Sequence, residues 1–364
     1  MTETVETPAL FDTADLATAL AGWNGWGTVV RHDPPTGTWI LIALHDNTLG
    51  PAAGGTRMKT YSSLGAALTD AQRLAAGMTA KWAAIDIPFG GGKAVLAVPR
   101  PLEGEERRGL LRRYGRLVRS LSGAFNTGPD LGTTLDDMKV IAEEAGTAVR
   151  GIDPQTGELT DPGPYTARGV FASIHAVVAQ VFGNRDLAGR SVLVEGVGSV
   201  GGPLAAQLAR AGARVLVTDV NPEAAARVAA AVGGEVVATG QVPGTPCDVY
   251  APCAVGATLH AGSIARLSCR AVAGSANNQL AELEDAERLH QRGILYAPDF
   301  IANGGGALAF GLMGQGASEA AIHDRLDGIE ATLREIFAEA AREDESPVAA
   351  AHRKVERVLA RGRA

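Results

Sequence analysis

Lys93 follows Gly90, Gly91 and Gly92 and lies between two apolar runs, in AIDIPFGGGKAVLAVP over residues 84–99. Two chemistries fit a cation in that setting. A lysine after a glycine turn can cradle phosphate, and a lysine in a dry pocket can be held uncharged and accept a proton. The first needs GxxxxGK followed by Ser or Thr. Here Ile87 stands at the place of the first glycine and Ala94 follows the lysine, so the magnesium-binding hydroxyl is missing. A tight turn carrying a solvated lysine is the plain structural alternative, but the apolar flanks favour proton chemistry. On that reading the glycines let substrate and backbone close around the amine. Lys81, in GMTAKWA, is the neighbouring cation expected to lower its pKa. Asp130, in NTGPDLGTTLDDM, is either the acidic partner or a turn former of its Gly-Pro loop. Asp136 and Asp137 read as exposed first-turn carboxylates of a helix.

A second chemistry is written in SVLVEGVGSVGGPLAAQLARAGARVLVTDV, residues 191–220. Gly196, Gly198 and Gly201 form GxGxxG, with Val197, Ser199 and Val200 between them. The motif follows an apolar strand, opens a helix and precedes a second strand ending in Asp219 and Val220, which is the context that gives it meaning. The first glycine makes the tight turn, the second lets backbone approach a pyrophosphate, and the third lets helix and strand pack closely. The helix N-terminus offers N–H groups and positive potential to the phosphates. Asp219 suits the ribose hydroxyls and repels a 2′-phosphate, so NAD is expected rather than NADP.

These residues need elements to hold them. Residues 38–49 and 94–98 read as strands, with a helical pattern at 63–80 between them and a charged helix over 103–122. From a helix at 166–182 onward, strands at 191–195, 214–219, 247–251, 271–274 and 293–296 alternate with helical stretches. The expected architecture is α/β with two domains: an α/β domain over 1–150, to which 330–364 return, and a Rossmann-type doubly wound domain over 166–329. Residues 151–165, rich in Pro, Gly and Asp, are the expected hinge.

Composition narrows the function. The 364 residues are 46% hydrophobic with a net charge of −7, which gives nucleic acid or an anionic membrane no purchase. The uncharged stretch 300–318 holds six glycines, Asn303 and Gln315, and reads as a buried glycine-rich loop leading into a helix rather than a membrane span. The first residues lack the basic and apolar regions of a secretory signal. Cys247, Cys253 and Cys269 form no CxxC and the histidines no HxxxH, so neither a disulfide framework nor a metal is expected, and a cytoplasmic location is.

Taken together, LGPAAGGTRM (49–58), GMTAKWA (77–83), PFGGGKAVL (88–96), NTGPDLGTT (126–134), YTARGV (165–170), the GxGxxG unit, CDVYAPCAVGATL (247–259), AGSANNQL (273–280) and GILYAPDFIANGGG (293–306) resemble the glutamate/leucine/phenylalanine/valine dehydrogenase family, over roughly 30 to 345. The resemblance implies NAD-dependent, reversible oxidative deamination of an L-amino acid to a 2-oxo acid and ammonium. It implies Lys93 as the base that activates water, Asp130 as the group handling protons at the substrate nitrogen, and Lys81 as the holder of the substrate carboxylate. By the same resemblance Asn277 contacts substrate and cofactor, while Arg57, Asp130, Thr166, Cys253, Ala254, Ser275 and Ala276 line the cofactor. The first domain is then the substrate and oligomerisation domain of a homo-oligomer.

The resemblance also bears on the substrate. Glutamate-specific relatives carry a lysine where Ala53 stands beside Gly54, so a glutamate side chain finds no countercharge here. Leucine-type relatives are bulkier at the places of Ala53, Gly128 and Ala307, and trimming all three makes room for an aromatic ring. Phenylalanine or another bulky apolar amino acid is expected, and the sequence is closest to the phenylalanine dehydrogenase type. Phe310 either stacks on that ring or fills the space. A leucine/valine dehydrogenase and a non-catalytic dinucleotide-binding protein are the alternatives.

Overall fold

Residues 38–46, TWILIALHD, carry an apolar run, Ile40–Leu44, that is buried on both faces, which marks an interior strand of a sheet covered on both sides. The computed structural model of the chain describes residues 20–152 and 160–363. The chain divides into two units, one running to Thr79 and again from Pro88 to Val149, the other comprising Ala80–Ile87 and the chain from Arg150. The expected absence of a leader falls on residues outside the described ones, as does most of the proline-rich part of the expected hinge.

The first unit is built on a five-stranded mixed sheet in the order β1-β2-β4-β3-β5. The strands are β1 (Gly27–Asp33), β2 (Thr38–Asp46), β3 (Ala52–Lys59), β4 (Gly90–Ala97) and β5 (Phe125–Pro129). β4 runs antiparallel to β2 and parallel to β3, placing Lys93 opposite Ala43 and Ala94 beside Thr56. β3 in turn pairs in parallel with β5, Gly55 lying beside Gly128. Helices α1 (Leu64–Ala84), α2 (Gly104–Ser120) and α3 (Leu135–Ala145) complete the unit, although the last turn of α1 groups with the second. Asp137, expected to be exposed, is only 6% so. It closes a capping box with Thr134 and pairs with Arg107 at 2.6 Å, so the helix start is tied to α2. Asp136 alone faces solvent.

Asp33 ends β1 at 2% exposure and receives Arg113 from α2 at 2.5 and 2.8 Å. Burial would raise its carboxyl pKa, but the Arg113 and Thr36 hydrogen bonds outweigh that and hold it below the usual range. Arg113→Leu leaves this carboxylate unpaired and is expected to cost about 3 kcal/mol of stability, read by urea unfolding at pH 7. A depressed carboxylate stabilises above its unfolded pKa and loses that contribution as pH falls through the folded value. The gap between variant and wild type should therefore shrink on acidification; a gap that does not change with pH would assign the effect to packing.

The second unit carries a six-stranded, wholly parallel sheet in the order β11-β10-β9-β6-β7-β8. Its strands are β6 (Ser191–Glu195), β7 (Arg214–Thr218), β8 (Glu235–Val236), β9 (Val249–Pro252), β10 (Ala271–Val272) and β11 (Leu295–Tyr296). Counted from β6 as first, this is the order 3-2-1-4-5-6 of doubly wound dinucleotide-binding sheets, whose direction reverses between β6 and β9. Helix α4 (Gly163–Phe182) is buried along most of its length. Residues 300–318 form helices over Asp299–Ala302 and Gly305–Met313. Among the described residues no helix is long and apolar enough to cross a membrane.

The C-terminal helices Ile329–Glu343 and Pro347–Arg363 group with this second unit, not with the first as the sequence led us to expect. The reason lies in their contacts. Val348 joins the core cluster that contains Leu193 and Tyr296. The Lys354 amine donates to the Ala84 carbonyl at 2.8 Å and meets Asp86 at 3.0 Å, beside Arg325 of the preceding helix (Glu319–Asp327), which donates to the Ile85 carbonyl at 3.2 Å. The tail thus meets the turn 84–86, a segment that itself belongs to the second unit.

Candidate functional site

In the first unit, β3, β4 and the loop after β5 bring Arg57, Lys93 and Asp130 together. Lys93 is 6% exposed, and its Nζ lies 3.1 Å from Asp130 Oδ2. The same oxygen accepts from Arg57 Nε at 2.8 Å. Burial pushes the Lys93 amine below its ordinary pKa; Asp130 opposes the shift and Arg57 adds to it. Burial would raise Asp130, but Lys93 first and Arg57 next hold it at about 2. The cation beside Lys93 within its own unit is therefore Arg57, a residue the sequence assigned to the cofactor. Lys81 belongs to the second unit, where its charge acts on the half-buried Asp299.

The glycines before Lys93 have a different task from the one expected. A Cβ on Gly90 would sit 1.9 Å from the Asp46 carbonyl, on Gly91 2.0 Å from Thr79 Oγ1, and on Gly92 2.9 Å from the Phe125 ring. The chain itself fills the space they release, so they serve sheet and helix packing. Gly55 is the glycine that clears the amine: a Cβ there would lie 2.8 Å from Asp130 Cβ and 3.3 Å from Lys93 Nζ. Gly54 has no room for a side chain either, its Cβ falling 1.8 Å from the Gly92 carbonyl. Ala53 is buried on the same strand.

In the second unit, the loop after β6 has the geometry its motif requires. Gly196 has φ +89°, a conformation glycine adopts without strain. A Cβ on Gly201 would fall 1.8 Å from the Gly196 carbonyl, whereas one on Gly198 meets nothing within 4 Å. Two glycines are thus demanded by the fold, and the middle one leaves open space where a pyrophosphate would approach, at the N-terminus of α5 (Gly201–Arg210). Asp219 Oδ2 accepts from the Val197 N–H and Oδ1 from the Asn221 N–H, both at 2.8 Å. This carboxylate is tied to the glycine loop, and Val220 beside it is 92% exposed. Ser199 and Val200 complete the loop, and the start of α4 abuts it: a Cβ on Gly163 would lie 2.5 Å from the Ser199 carbonyl. Across the switch point, the Cys253 N–H donates to the Glu195 carbonyl at 2.7 Å. Burial raises the Cys253 thiol, partly offset by hydrogen bonding to Ser275. Ala254 lies over Gly196, and Ala276 is buried next to Ser275.

Other predicted residues occupy the second unit separately. Asn277 is exposed, and its Oδ1 accepts from Asn303 Nδ2 at 2.9 Å. Thr166 Oγ1 donates to the Pro162 carbonyl and crowds Gly306. Ala307 is half-buried on the same helix as Phe310, whose ring lies against the backbone of Gly151.

Sequence reasoning missed three participants. Asp70, on α1, accepts from Arg57 Nη1 at 3.0 Å and from the Tyr61 hydroxyl at 2.6 Å. Nothing in its spacing from Arg57 signals a contact between helix and strand. Asn303 carried a signal, as an amide inside a glycine-rich apolar run. Asp299 is held by the N–H groups of Gln279 and Phe300.

Comparison with known proteins adds the following. The family model described as Glu/Leu/Phe/Val dehydrogenase, dimerisation domain, matches residues 39–147, and the model described as Glutamate/Leucine/Phenylalanine/Valine dehydrogenase matches residues 217–361. A leucine dehydrogenase of Bacillus cereus is 43% identical over 77% of this chain and 76% of its own. A phenylalanine dehydrogenase of Lysinibacillus sphaericus is 40% identical over 91% of this chain and 87% of its own. Among solved structures, an L-tryptophan dehydrogenase from Nostoc punctiforme superposes with TM-score 0.82 at 34% identity, covering 95% of this chain and 99% of that one.

Proposed function

Because this chain belongs to the Glu/Leu/Phe/Val dehydrogenase family, a family of amino acid dehydrogenases acting on CH–NH2 groups, we propose that it performs the NAD-dependent, reversible oxidative deamination of a bulky apolar L-amino acid, phenylalanine foremost, to the 2-oxo acid and ammonium. The observation that carries the reading is the buried lysine with depressed pKa, beside a carboxylate that stays ionised. A non-catalytic dinucleotide-binding protein has no use for such a costly arrangement.

The residues of the glycine loop fit a dinucleotide: open space at Gly198, the α5 N-terminus for phosphate and Asp219 for the ribose, with no arginine beside it for a 2′-phosphate. Thr166, Cys253, Ala254, Ser275 and Ala276 belong to the same proposed site. When bound, the nicotinamide accepts the hydride from the substrate Cα. The chain supplies the rest. Neutral Lys93 takes a proton of the attacking water as the water oxygen bonds to the iminium carbon and the C=N pair moves to nitrogen. The nitrogen then takes up a proton, the hydroxyl gives up its own, and the C–N bond breaks to leave the 2-oxo acid and ammonia, which leaves as ammonium. Both protein donors meet Asp130 at Oδ2, and this ionised carboxylate serves the protons of the substrate nitrogen. Lys81 holds the substrate carboxylate by a charge-assisted hydrogen bond, and Asn277, oriented by Asn303, contacts substrate and cofactor.

The substrate preference rests on three small residues, Ala53, Gly128 and Ala307. Each buried CH2 removed costs an aliphatic substrate about 0.8 kcal/mol of contact while opening room for a ring. The packing of Phe310 on Gly151 favours a structural role for that side chain. Leucine dehydrogenase is the second reading, favoured by the 43% identity to the Bacillus cereus enzyme. A panel of L-amino acids with NAD should give the fastest rise in NADH absorbance with phenylalanine. Leucine or valine ahead of it would overturn the pocket argument and leave the chemistry standing; no amino acid giving NADH would overturn both. We further propose a cytoplasmic homo-oligomer, in keeping with the dimerisation domain matched over 39–147.

A further inference from the structure

We propose that Arg57 and Asp70 form a positioning pair for the catalytic lysine: Arg57 anchors Asp130 and takes up its charge, and Asp70, itself held by Tyr61, fixes Arg57 in place. The proposal rests on the reading of Lys93 as the base and assigns work to two residues that do not carry the chemistry.

The geometry is a chain of contacts inside one unit. Arg57 spans two carboxylates, with Nε on Asp130 at 2.8 Å and Nη1 on Asp70 at 3.0 Å, and its own side chain is 13% exposed. Asp70 also receives the Tyr61 hydroxyl at 2.6 Å and Arg73 at 2.9 Å. The charged groups that act on Lys93 are Asp130 from the loop after β5, Arg57 from β3 and Asp70 from α1; Tyr61 and Arg73 bear on Asp70, and β2 offers the uncharged Ala43 opposite.

Arg57 and Lys93 meet the same carboxylate oxygen of Asp130. Guanidinium stays protonated at any working pH. A proton on Lys93 therefore sets a second positive charge beside Arg57 on one carboxylate oxygen, and Arg57 adds to burial in lowering the pKa of the amine. Without Arg57, Asp130 and Lys93 become an isolated ion pair, and the lysine is held as ammonium, which is useless as a base. The structure thus explains why a lysine 3.1 Å from a carboxylate can still give up its proton.

Arg57→Gln tests this. Relative to wild type, the acidic limb of kcat/KM should move up by about one pH unit, with about a tenfold loss on the limb that recovers at high pH, because an adjacent cation shifts a pKa by at least that much. Arg57→Lys, which keeps the charge, should restore the limb. Asp70→Asn should shift the profile in the wild-type background and change it less than twofold in the Arg57→Gln background, since residues acting through one another are not additive. A loss equal at every pH, or an additive double variant, would overturn the proposal. The chain has only five lysines, so 15N NMR of the side-chain amines, with Lys93→Arg to identify the resonance, follows the titration without any turnover. That measurement separates the two ideas: a wild type without deaminase activity defeats the proposed function, whereas an unchanged Lys93 titration in Arg57→Gln defeats the positioning pair. If neither Arg57→Gln nor Arg57→Met folds, Arg57 belongs to folding and the proposal is wrong.

Discussion

Lys93→Met should lower kcat for amino acid oxidation by about 10²- to 10⁴-fold, the usual range for loss of a positioned general base. Methionine keeps the length and apolar stem of lysine and removes the amine. Asp130 keeps Arg57 as a partner, so the variant should stay folded. NADH affinity, read by fluorescence titration, should stay as in wild type, because the glycine loop belongs to the other unit. The wild-type profile carries a further sign. In the proposed role Lys93 works only when neutral, and burial has lowered its pKa, so activity should rise with pH along a limb lying below the ordinary lysine value of 10.5. Lys93→Met should lack that limb. Activity within tenfold of wild type would remove Lys93 from its role.

The second large effect separates two glycines of one motif. A Cβ at Gly198 touches nothing within 4 Å, whereas one at Gly201 lies 1.8 Å from the Gly196 carbonyl. Gly198→Val should therefore unfold at the wild-type temperature yet bind NADH about 10- to 100-fold more weakly, the space for the pyrophosphate being filled. Gly201→Ala should lose both, since strand and helix must move apart to admit a methyl group. Equal melting losses in the two variants, or unimpaired NADH binding by Gly198→Val, would show that the middle glycine does not leave room for a ligand.

The second unit was the more legible part of the chain. Its parallel strands are short apolar runs separated by helices and glycine turns, and the sequence located β6 at Ser191–Glu195 without error. The GxGxxG motif announces itself because all its parts are contiguous. The first unit hid more. β3 reads AAGGTRMK, which has neither alternation nor a branched run, and only its neighbours β4 and β5 make it a strand. Lys93 and Asp130 stood out by their flanks, but the Arg57–Asp70 contact joins a strand to a helix, a pairing that no local period encodes. The three glycines were misread for a related reason: their purpose lies in Asp46, Thr79 and Phe125, residues far from them along the chain.

The grouping of Ala80–Ile87 with the second unit sets an order on synthesis. The carbonyls at the end of α1 find their donors in Arg325 and Lys354, more than two hundred residues downstream. As the chain emerges, the first sheet has all its strands by residue 129, and Ile85, Asp86 and Ile87 cap the helix end locally, but the Ala84 and Ile85 carbonyls wait for Lys354 and Arg325. A chain stopped short of Arg325 can thus own Lys93 and Asp130 in finished form while the turn after Lys81 still lacks its side-chain donors.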